Sequence, residues 1–410
     1  MTTELTGDMP QLPAVEGTDT SARYVSMLLG AVAVLICVGF VFLYSASALR
    51  SSWEFAFVER QFKALGLGLL AYYVLSYIDY HHYYRWRWVL LGVGVLLLAA
   101  VLVPGIGAKV NGARRWFRIG GQSVQPSEMV KILAVLGMAA LLYGGRGRLM
   151  RFLPFMALTI PAGVFVGLVA LEPDMGTAAL LSCVMGAMIF VAGARTIYLL
   201  LMGALVIPPA AILAATRFEY IMGRVQAWLE GSTSGKGYHA WMSKSSIGSG
   251  GLTGVGLGRG EANLAYLPEA HTDFIYAVIG QETGLIGAAC VLAAFAAFAI
   301  AGIGIARRCH DGFGALAAFG LTLMISIQAA FNIAVVTAAV PTKGIALPMI
   351  SYGGTGLVCN LAAVGLLVSI ARYGSRRTET AAETPRSIPM WGRIALQPEK
   401  KTESVHDLAA

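Results

Sequence analysis

Long apolar segments constrain this chain more than any other feature of its sequence. Ten runs are long enough to cross the ~30 Å hydrocarbon core of a membrane, which takes about 20 residues. In lipid only helices and closed barrels satisfy the backbone, and the runs lack the period-2 alternation of barrel strands. We therefore predict ten transmembrane helices, near residues 24–47, 62–79, 88–105, 127–143, 152–171, 175–193, 197–216, 273–306, 313–340 and 345–371.

The composition agrees with this reading. Hydrophobic residues make up 57% of the chain and charged residues 13%, whereas a soluble domain carries about 25% charged residues. We predict an all-α polytopic membrane protein with a membrane domain at 23–372 and disordered polar tails at 1–22 and 373–410. The first tail carries four acidic residues, unlike the basic start of a secretory signal.

Basic residues in the short loops predict the orientation. If the spans alternate, most arginines near the span ends fall on one side, which the positive-inside rule makes cytoplasmic. Both termini are then cytoplasmic. Much of the net charge of +8 lies in short loops, where anionic lipid headgroups can bind it. We therefore expect the basic residues to contact the membrane and not nucleic acid. The arginines are Arg85, Arg87, Arg146, Arg148, Arg151, Arg195, Arg307, Arg308, Arg372, Arg376 and Arg377.

One outer loop breaks this charge rule. Lys109, Arg114, Arg115 and Arg118 lie between the third and fourth spans, on the side that should be poor in basic residues. They either pair with outer-leaflet lipid phosphate or form a phosphate-binding site, since the arginine fork matches phosphate oxygens.

Acidic residues recur at the outer ends of the spans. Glu128 and Lys131 are three residues apart on one helical face, so they form either a structural ion pair or a cavity site for an anionic head group. Asp174 either caps the sixth span or contributes to the same cavity.

The longest outer loop, 217–272, separates the seventh and eighth spans. Its glycine-rich run at 248–260 superficially resembles a dinucleotide fingerprint, but no βαβ unit surrounds it. We predict a flexible lid near the site and expect no organic cofactor.

The mouth of the eighth span places His271 and Asp273 beside a long apolar helix. A carboxylate at membrane depth is costly and is usually functional. Asp273 either caps the helix, forms a transport site or acts as a base. Gly280 and Gly284 predict a closely packed seam. Glu282 points to the opposite face and is expected to be structural.

The last outer loop, 341–355, has two prolines and several glycines and hydroxyl residues. It predicts either a kinked helix start or a broken element, which is tolerated only where it is buried or lines water. In a broken element, Lys343 and Ser351 would line the cavity below Asp273.

Several motifs that follow one another along residues 24–372 resemble those of the shape, elongation, division and sporulation (SEDS) family. The similarity is closest to the division members of this family. They are Leu43-Tyr44-Ser45-Ala46-Ser47, Asn111-Gly112-Ala113-Arg114-Arg115-Trp116, Gln125-Pro126-Ser127-Glu128 with Lys131, Ala270-His271-Thr272-Asp273-Phe274-Ile275, and Pro341-Thr342-Lys343-Gly344-Ile345-Ala346-Leu347-Pro348 with Ser351-Tyr352-Gly353-Gly354.

The resemblance implies a peptidoglycan glycosyltransferase that polymerises lipid II outside the inner membrane, at the septum. Its implied partners are a class B penicillin-binding transpeptidase and other division proteins. Asp273 matches the essential aspartate of the family and Arg115 an important loop arginine. The residues that match its central cavity are Glu128, Lys131, Asp174 and Ser351.

The implied reaction inverts the anomeric centre, which needs one base and a stabilised leaving group. We expect Asp273 to deprotonate the acceptor hydroxyl. Arg115 and Lys131, with a Mg²⁺ or Mn²⁺ ion, would offset the charge of the leaving pyrophosphate. A lipid II flippase would use the same buried charges, and a division scaffold would need only the tails and the large loop.

Overall fold

A computed structural model of the chain describes most of the predicted membrane domain. The described residues are 17–48, 54–110, 113–119, 122–204, 238–259, 271–341 and 344–374, with single positions between 222 and 228. The predicted tails lie outside the described residues apart from 17–22 and 373–374, which continue the neighbouring helices. The proposed division into domain and tails therefore stays a prediction.

The described residues are mostly helical. Six helices are long and apolar enough to cross a membrane, namely α1, α5, α6, α9, α10 and α11, and α4 and α7 are shorter apolar helices. The multi-pass helical fold is thus confirmed. The seventh predicted span is described only as far as residue 204, so the number ten stays a prediction. The helices are α1 (Gly17–Ala48), α2 (Glu54–Tyr77), α3 (His81–Arg85), α4 (Arg87–Leu102), α5 (Pro126–Gly144), α6 (Phe152–Leu171), α7 (Met175–Val191), α8 (Tyr238–Gly250), α9 (Ile275–Arg308), α10 (Gly312–Val336) and α11 (Gly354–Gly374).

The basic outer loop is not helical or irregular but a small antiparallel sheet. Its strands are β1 (Ala108–Val110), β2 (Ala113–Ile119) and β3 (Gln122–Val124), in the order β1-β2-β3. The residues between the strands read Asn-Gly and Gly-Gly in the sequence, pairs that are typical of two-residue hairpins. This sheet is the one departure, within the described residues, from the predicted all-α architecture.

Helices α5 and α11 lie at the centre of the bundle. Their most apolar windows are 72% buried, against 33% for α1 and α6. Glycines allow close packing around α11, since a Cβ at Gly365 would lie 2.6 Å from the carbonyl oxygen of Tyr72 in α2. The segment that precedes α11, residues 344–353, is not helical, and its middle part, residues 347–351, is buried. The predicted broken element, here called the broken segment, is therefore present.

A second interruption divides α9. Gly284 has φ +68° and ψ −162°, which is outside the helical region. The glycine-rich run docks against this break through backbone hydrogen bonds: Val255 N donates to Gln281 O (3.1 Å) and Leu285 N to Gly251 O (2.9 Å). These bonds satisfy groups that the break exposes. The run is therefore attached to α9 through its backbone, while most of its residues are exposed. The flexibility of the predicted lid stays a prediction.

Glu282 lies beside this break, with 1% of its surface exposed. The hydroxyl of Ser45 in α1 donates to its carboxyl at 2.5 Å. The side chain therefore links α1, α9 and the docked glycine run, which agrees with the expectation of a structural role.

Alanine in place of Gly254 should destabilise the protein more than alanine in place of Gly258. Both glycines have positive φ (+81° and +71°), but only at Gly254 would a Cβ meet backbone, 2.1 Å from Glu282 O. The left-handed conformation costs about 1–2 kcal/mol in each variant, and overpacking adds about 1–3 kcal/mol at Gly254. Thermal unfolding of the purified variants in detergent measures the difference. Equal losses would contradict the close docking of the run.

Candidate functional site

The broken segment connects with the lead into α9 through Ser351. Its hydroxyl accepts a hydrogen bond from Leu347 N at 2.8 Å and donates to the carbonyl oxygen of Thr272. Only 5% of the residue is exposed. Ser351 was predicted to line the cavity, but its hydroxyl is used to hold two pieces of backbone together. It is a positioning residue for the segment that carries Asp273.

Asp273 is held through its backbone. The side-chain amide of Asn332 in α10 donates to Asp273 O at 2.8 Å and to Ile345 O at 2.7 Å. The carboxylate lies against Gly344, where a Cβ would be 2.8 Å from Asp273 Oδ2. The first residue of α9 is Ile275 and its N-cap is Phe274, so of the three alternatives for Asp273 the N-cap position is taken by another residue. The turn held by Asn332 ends before the helix begins.

His271 lies next to an aromatic cluster at the same place. Its ring centroid is 5.0 Å from Phe57 and 5.9 Å from Tyr352. Its carbonyl oxygen also accepts from Tyr352 N at 3.0 Å. The imidazole is thus placed by α2 and the broken segment together. Lys343, predicted beside it, lies outside the described residues.

The predicted pair in α5 is present. Lys131 Nζ lies 2.8 Å from Glu128 Oε1, and the lysine side chain is 2% exposed. The ammonium also donates to Gln328 Oε1 at 2.6 Å, and the amide of Gln328 continues to Ala346 O at 3.0 Å. A chain of polar contacts therefore runs from Glu128 to the broken segment. Gln328 and Asn332 were missed in the sequence, where they are single polar residues at a spacing of four in an apolar helix.

Asp174 caps α7, as one of the two interpretations expected. Its carboxylate accepts from Thr177 N at 3.1 Å and from the Thr177 hydroxyl at 2.9 Å. The next turn touches the broken segment, because a Cβ at Gly176 would lie 2.9 Å from the Ile345 side chain. Asp174 thus reaches the same region as Asp273, with its charge already used at the helix N-terminus.

The arginines of the sheet divide into two groups. Arg115 points into the bundle, where its guanidinium donates to the carbonyl oxygens of Glu172 (2.8 Å) and Pro173. It braces the turn before Asp174. Alternation along β2 puts Arg114 and Arg118 on the other face, and Lys109 is the cross-strand partner of Arg114.

That second face concentrates positive charge. Like charges directly opposite each other destabilise a strand pair, so Lys109 beside Arg114 favours an anionic occupant. This observation supports a role in phosphate contact, although it does not distinguish a lipid phosphate from a substrate phosphate.

Glu172 lies at the site but was not selected from the sequence. It is fully buried, and within the described part of the chain neither carboxyl oxygen has a hydrogen-bond partner. Burial, and then the neighbouring charge of Asp174, raise the pKa of Glu172 to about 8, while Arg115 acts in the opposite direction. Its signal in the sequence was an acid directly before a proline at the end of an apolar span.

The described residues contain no group of three or more His, Cys, Asp or Glu side chains that fits a metal ion. The protein side chains of this part of the chain therefore do not form a complete metal site. A Mg²⁺ ion would need one or two carboxylates together with substrate phosphates, which is a common arrangement for this ion.

The geometry as a whole gathers charges around one buried piece of irregular backbone. Asp273, the turn after Asp174, and the Glu128–Lys131 pair each contact the broken segment directly or through one amide side chain. The basic sheet borders this region through the hydrogen bond from the Thr355 hydroxyl in α11 to Ser123 O in β3 (3.4 Å). Such an arrangement can bind an anionic head group and place a carboxylate beside it.

Comparisons with known proteins agree on one family. The family model FTSW_RODA_SPOVE, described as "Cell cycle protein", matches residues 25–376. A protein of Trichlorobacter lovleyi named "Probable peptidoglycan glycosyltransferase FtsW" is 39% identical over 360 residues, which cover 85% of this chain and 93% of that protein.

Solved structures give the same result. A chain of a peptidoglycan synthase complex, described as structural coordination of polymerization and crosslinking, has a TM-score of 0.73 and 29% identity. The match covers 85% of this chain and 98% of that one. The rod shape determining protein RodA of Thermus thermophilus has a TM-score of 0.64 and 28% identity, covering 85% and 97% of the two chains.

Glu172 should make the stability of the protein fall as pH rises from about 5 to 8. The folded state raises the carboxyl pKa from its ordinary value of 4.5 to about 8, so the folded protein binds more protons than the unfolded chain in this range. The stabilisation is complete below the unfolded pKa and is lost as pH approaches the folded one.

Thermal unfolding in detergent at several pH values measures this effect. Glu172→Gln should flatten the dependence between pH 5 and 8, whereas Glu59→Gln, at an exposed carboxylate, should leave it unchanged. A wild-type slope that survives in Glu172→Gln would mean that another group titrates.

Proposed function

The chain belongs to the FtsW, RodA and SpoVE family of cell cycle proteins and is a peptidoglycan glycosyltransferase; we propose that it polymerises lipid II at the outer face of the membrane, with Asp273 as the general base. The proposal rests above all on one observation. Asp273, the turn after Asp174 and the Glu128–Lys131 pair converge on the same broken segment.

Asp273 is the best candidate for the base because of how it is held. Two side chains, Asn332 in α10 and Ser351 in the broken segment, fix the backbone around it. Positioning of this kind is what general base catalysis requires, since the base must stay within hydrogen-bond reach of the proton that it removes. In the proposed reaction, the proton of the acceptor sugar's 4-hydroxyl moves to the Asp273 carboxylate as that oxygen attacks the donor's anomeric carbon.

The departing undecaprenyl pyrophosphate needs positive charge nearby. Lys131 is a buried ammonium with one carboxylate partner, and Arg114 and Arg118 share the outer face of the basic sheet with Lys109. We assign pyrophosphate contact to these groups. Arg115 acts one step behind them, because its guanidinium braces the turn that carries Glu172 and Asp174.

A divalent cation belongs to the proposal only together with the substrate. The described carboxylates do not build a metal site by themselves, so an ion such as Mg²⁺ or Mn²⁺ would be bound jointly with the donor pyrophosphate. Such an ion would offset the charge on the leaving group.

The charge distribution and the relatives of the chain support proposals for its membrane orientation, its partner and its location. The chain is a multi-pass membrane protein, and we propose that both termini are cytoplasmic because basic residues collect at one end of the bundle. A structural relative belongs to a peptidoglycan synthase complex, which supports a class B penicillin-binding transpeptidase as partner. The named relatives favour work at the division septum.

Asp273→Asn should lower glycan polymerisation by about 10²- to 10⁴-fold, the usual contribution of a general base. The measurement is polymer formation from lipid II by the full chain in liposomes, with and without the transpeptidase and with Mg²⁺ or a chelator. Asp79→Asn is the matched control, because this carboxylate pairs with His81 at the opposite end of the bundle.

The same preparation separates the alternatives. If Asp273→Asn polymerises at the wild-type rate, Asp273 is not the base. If the wild-type protein moves lipid II across the vesicle membrane without making polymer, the flippase interpretation replaces the present one.

Single and double substitutions in the Glu128–Lys131 pair should separate its effect on stability from its effect on polymerisation. Removing one partner of a buried pair typically costs about 3–5 kcal/mol, whereas removing both is often close to neutral. We therefore expect Lys131→Met to unfold more easily, and Glu128→Gln with Lys131→Met to recover much of that stability. Polymerisation should stay low in the double variant because the positive charge is still missing. Recovery of both stability and activity would reduce the pair to a structural role.

A further inference from the structure

A second charged cavity lies at the end of the bundle opposite to Asp273. It has a volume of about 730 Å³ and is formed between the starts of α4 and α6 and the end of α5. None of the groups assigned to glycosyl transfer lines it. The cavity therefore needs an explanation of its own.

Three arginines line this cavity: Arg87, Arg148 and Arg151. Arg87 is held in place, since its guanidinium donates to Tyr84 O at 3.3 Å and lies 5.0 Å from the centre of the Tyr84 ring. Arg148 and Arg151 are exposed at the rim. The ion pairs among the described residues involve Lys63, His81 and Lys131, not these arginines.

The neighbouring sequence offers no acidic group to balance the arginines. No Asp or Glu occurs in 80–127 or in 129–171, and Glu128 lies at the far end of α5. The N-terminus of α6 lies beside the cavity with Arg151 at its N-cap, and it has neither a side-chain cap nor an acid in its first turn. Helix N-termini attract anions, so the cavity and the helix favour the same kind of ligand.

The rest of the wall is apolar and is open to the membrane side. Trp88 is 64% exposed, and Leu141, Pro154, Ala157 and Leu158 complete this side of the cavity. Tryptophan at such a position is typical of the boundary between headgroups and acyl chains. A ligand that fits has an anionic head beside a hydrocarbon chain.

We propose that this cavity binds the phosphate of an anionic phospholipid from the leaflet opposite to the glycosyltransferase site, with the headgroup on the three arginines and an acyl chain along Trp88. Basic pockets between transmembrane helices on the cytoplasmic side are suited to such headgroups. Arginine contacts phosphate oxygens through two donors at once, which suits the site to a phosphate headgroup. The bound lipid would neutralise three arginines that form no ion pair with the described residues.

Lipid retention by the purified full-length protein tests the proposal. Native mass spectrometry in detergent would compare phosphatidylglycerol with zwitterionic phosphatidylcholine. In wild type, phosphatidylglycerol should bind more tightly, and Arg148→Gln with Arg151→Gln should weaken it by about tenfold or more. The matched control is Arg307→Gln with Arg308→Gln, which removes the same charge from the end of α9, outside the cavity.

Each alternative has a distinct result. Equal weakening by the control pair, or equal retention of both lipids, would overturn the proposal, because the effect would then be general surface charge or general lipid adhesion. Displacement of phosphatidylglycerol by an equal concentration of inorganic phosphate would assign the cavity to free phosphate and overturn the lipid. Melting temperatures measured in phosphatidylcholine should be alike for the two double variants, so that unfolding does not imitate lost binding.

Discussion

The need to satisfy backbone polar groups inside the membrane governs this structure. Irregular backbone is tolerated at that depth only where protein or water supplies hydrogen-bond partners. The described residues contain two such places. At the broken segment the partners are polar side chains, namely Ser351 of the segment itself and Asn332 and Gln328 of α10. At Gly284 they are backbone groups of the docked glycine run. At the broken segment, this arrangement leaves functional side chains next to a polar region. At Gly284, the backbone of the glycine run fills the break in the helix.

Buried charged and titratable side chains place a second constraint on the structure. Charged side chains are costly at such depth, yet α5 keeps Lys131 buried beside the partly buried Glu128, and the carboxyl of Glu172 is buried with no hydrogen-bond partner among the described residues. A chain selected for stability alone would have little reason to retain these groups. Binding of an anionic substrate explains their position around a single segment better than selection for stability does. The basic face of the outer sheet continues the same electrostatic field to the surface.

The sequence predicted much of this arrangement because its signals are local. Apolar length predicted the helices, the i,i+3 spacing predicted the Glu128–Lys131 pair, and proline and glycine predicted the broken segment. What it could not predict depends on contacts between distant segments. Gln328 and Asn332 look like isolated polar residues until α10 packs beside the broken segment. The attachment of the glycine run to α9 was not predicted because its partner, the break at Gly284, is visible only in the folded chain. The outer sheet was missed because its strands are short. Their charged residues also interrupt the alternation of apolar and polar residues that would indicate a strand.

The comparison of Asp174 with Asp273 bears on which acid we propose as the base. Asp174 accepts hydrogen bonds from Thr177 with both carboxylate oxygens at the start of α7. A base needs an oxygen that can reach the proton it removes, so a carboxylate bound to its own helix in this way is the weaker candidate. Asp273 precedes the N-cap of α9, which is Phe274. Asn332 and Ser351 hold the segment that carries it through backbone carbonyl oxygens, which fixes its position beside the broken segment. We therefore keep Asp273 as the base in the proposed reaction and assign Asp174 to the start of α7.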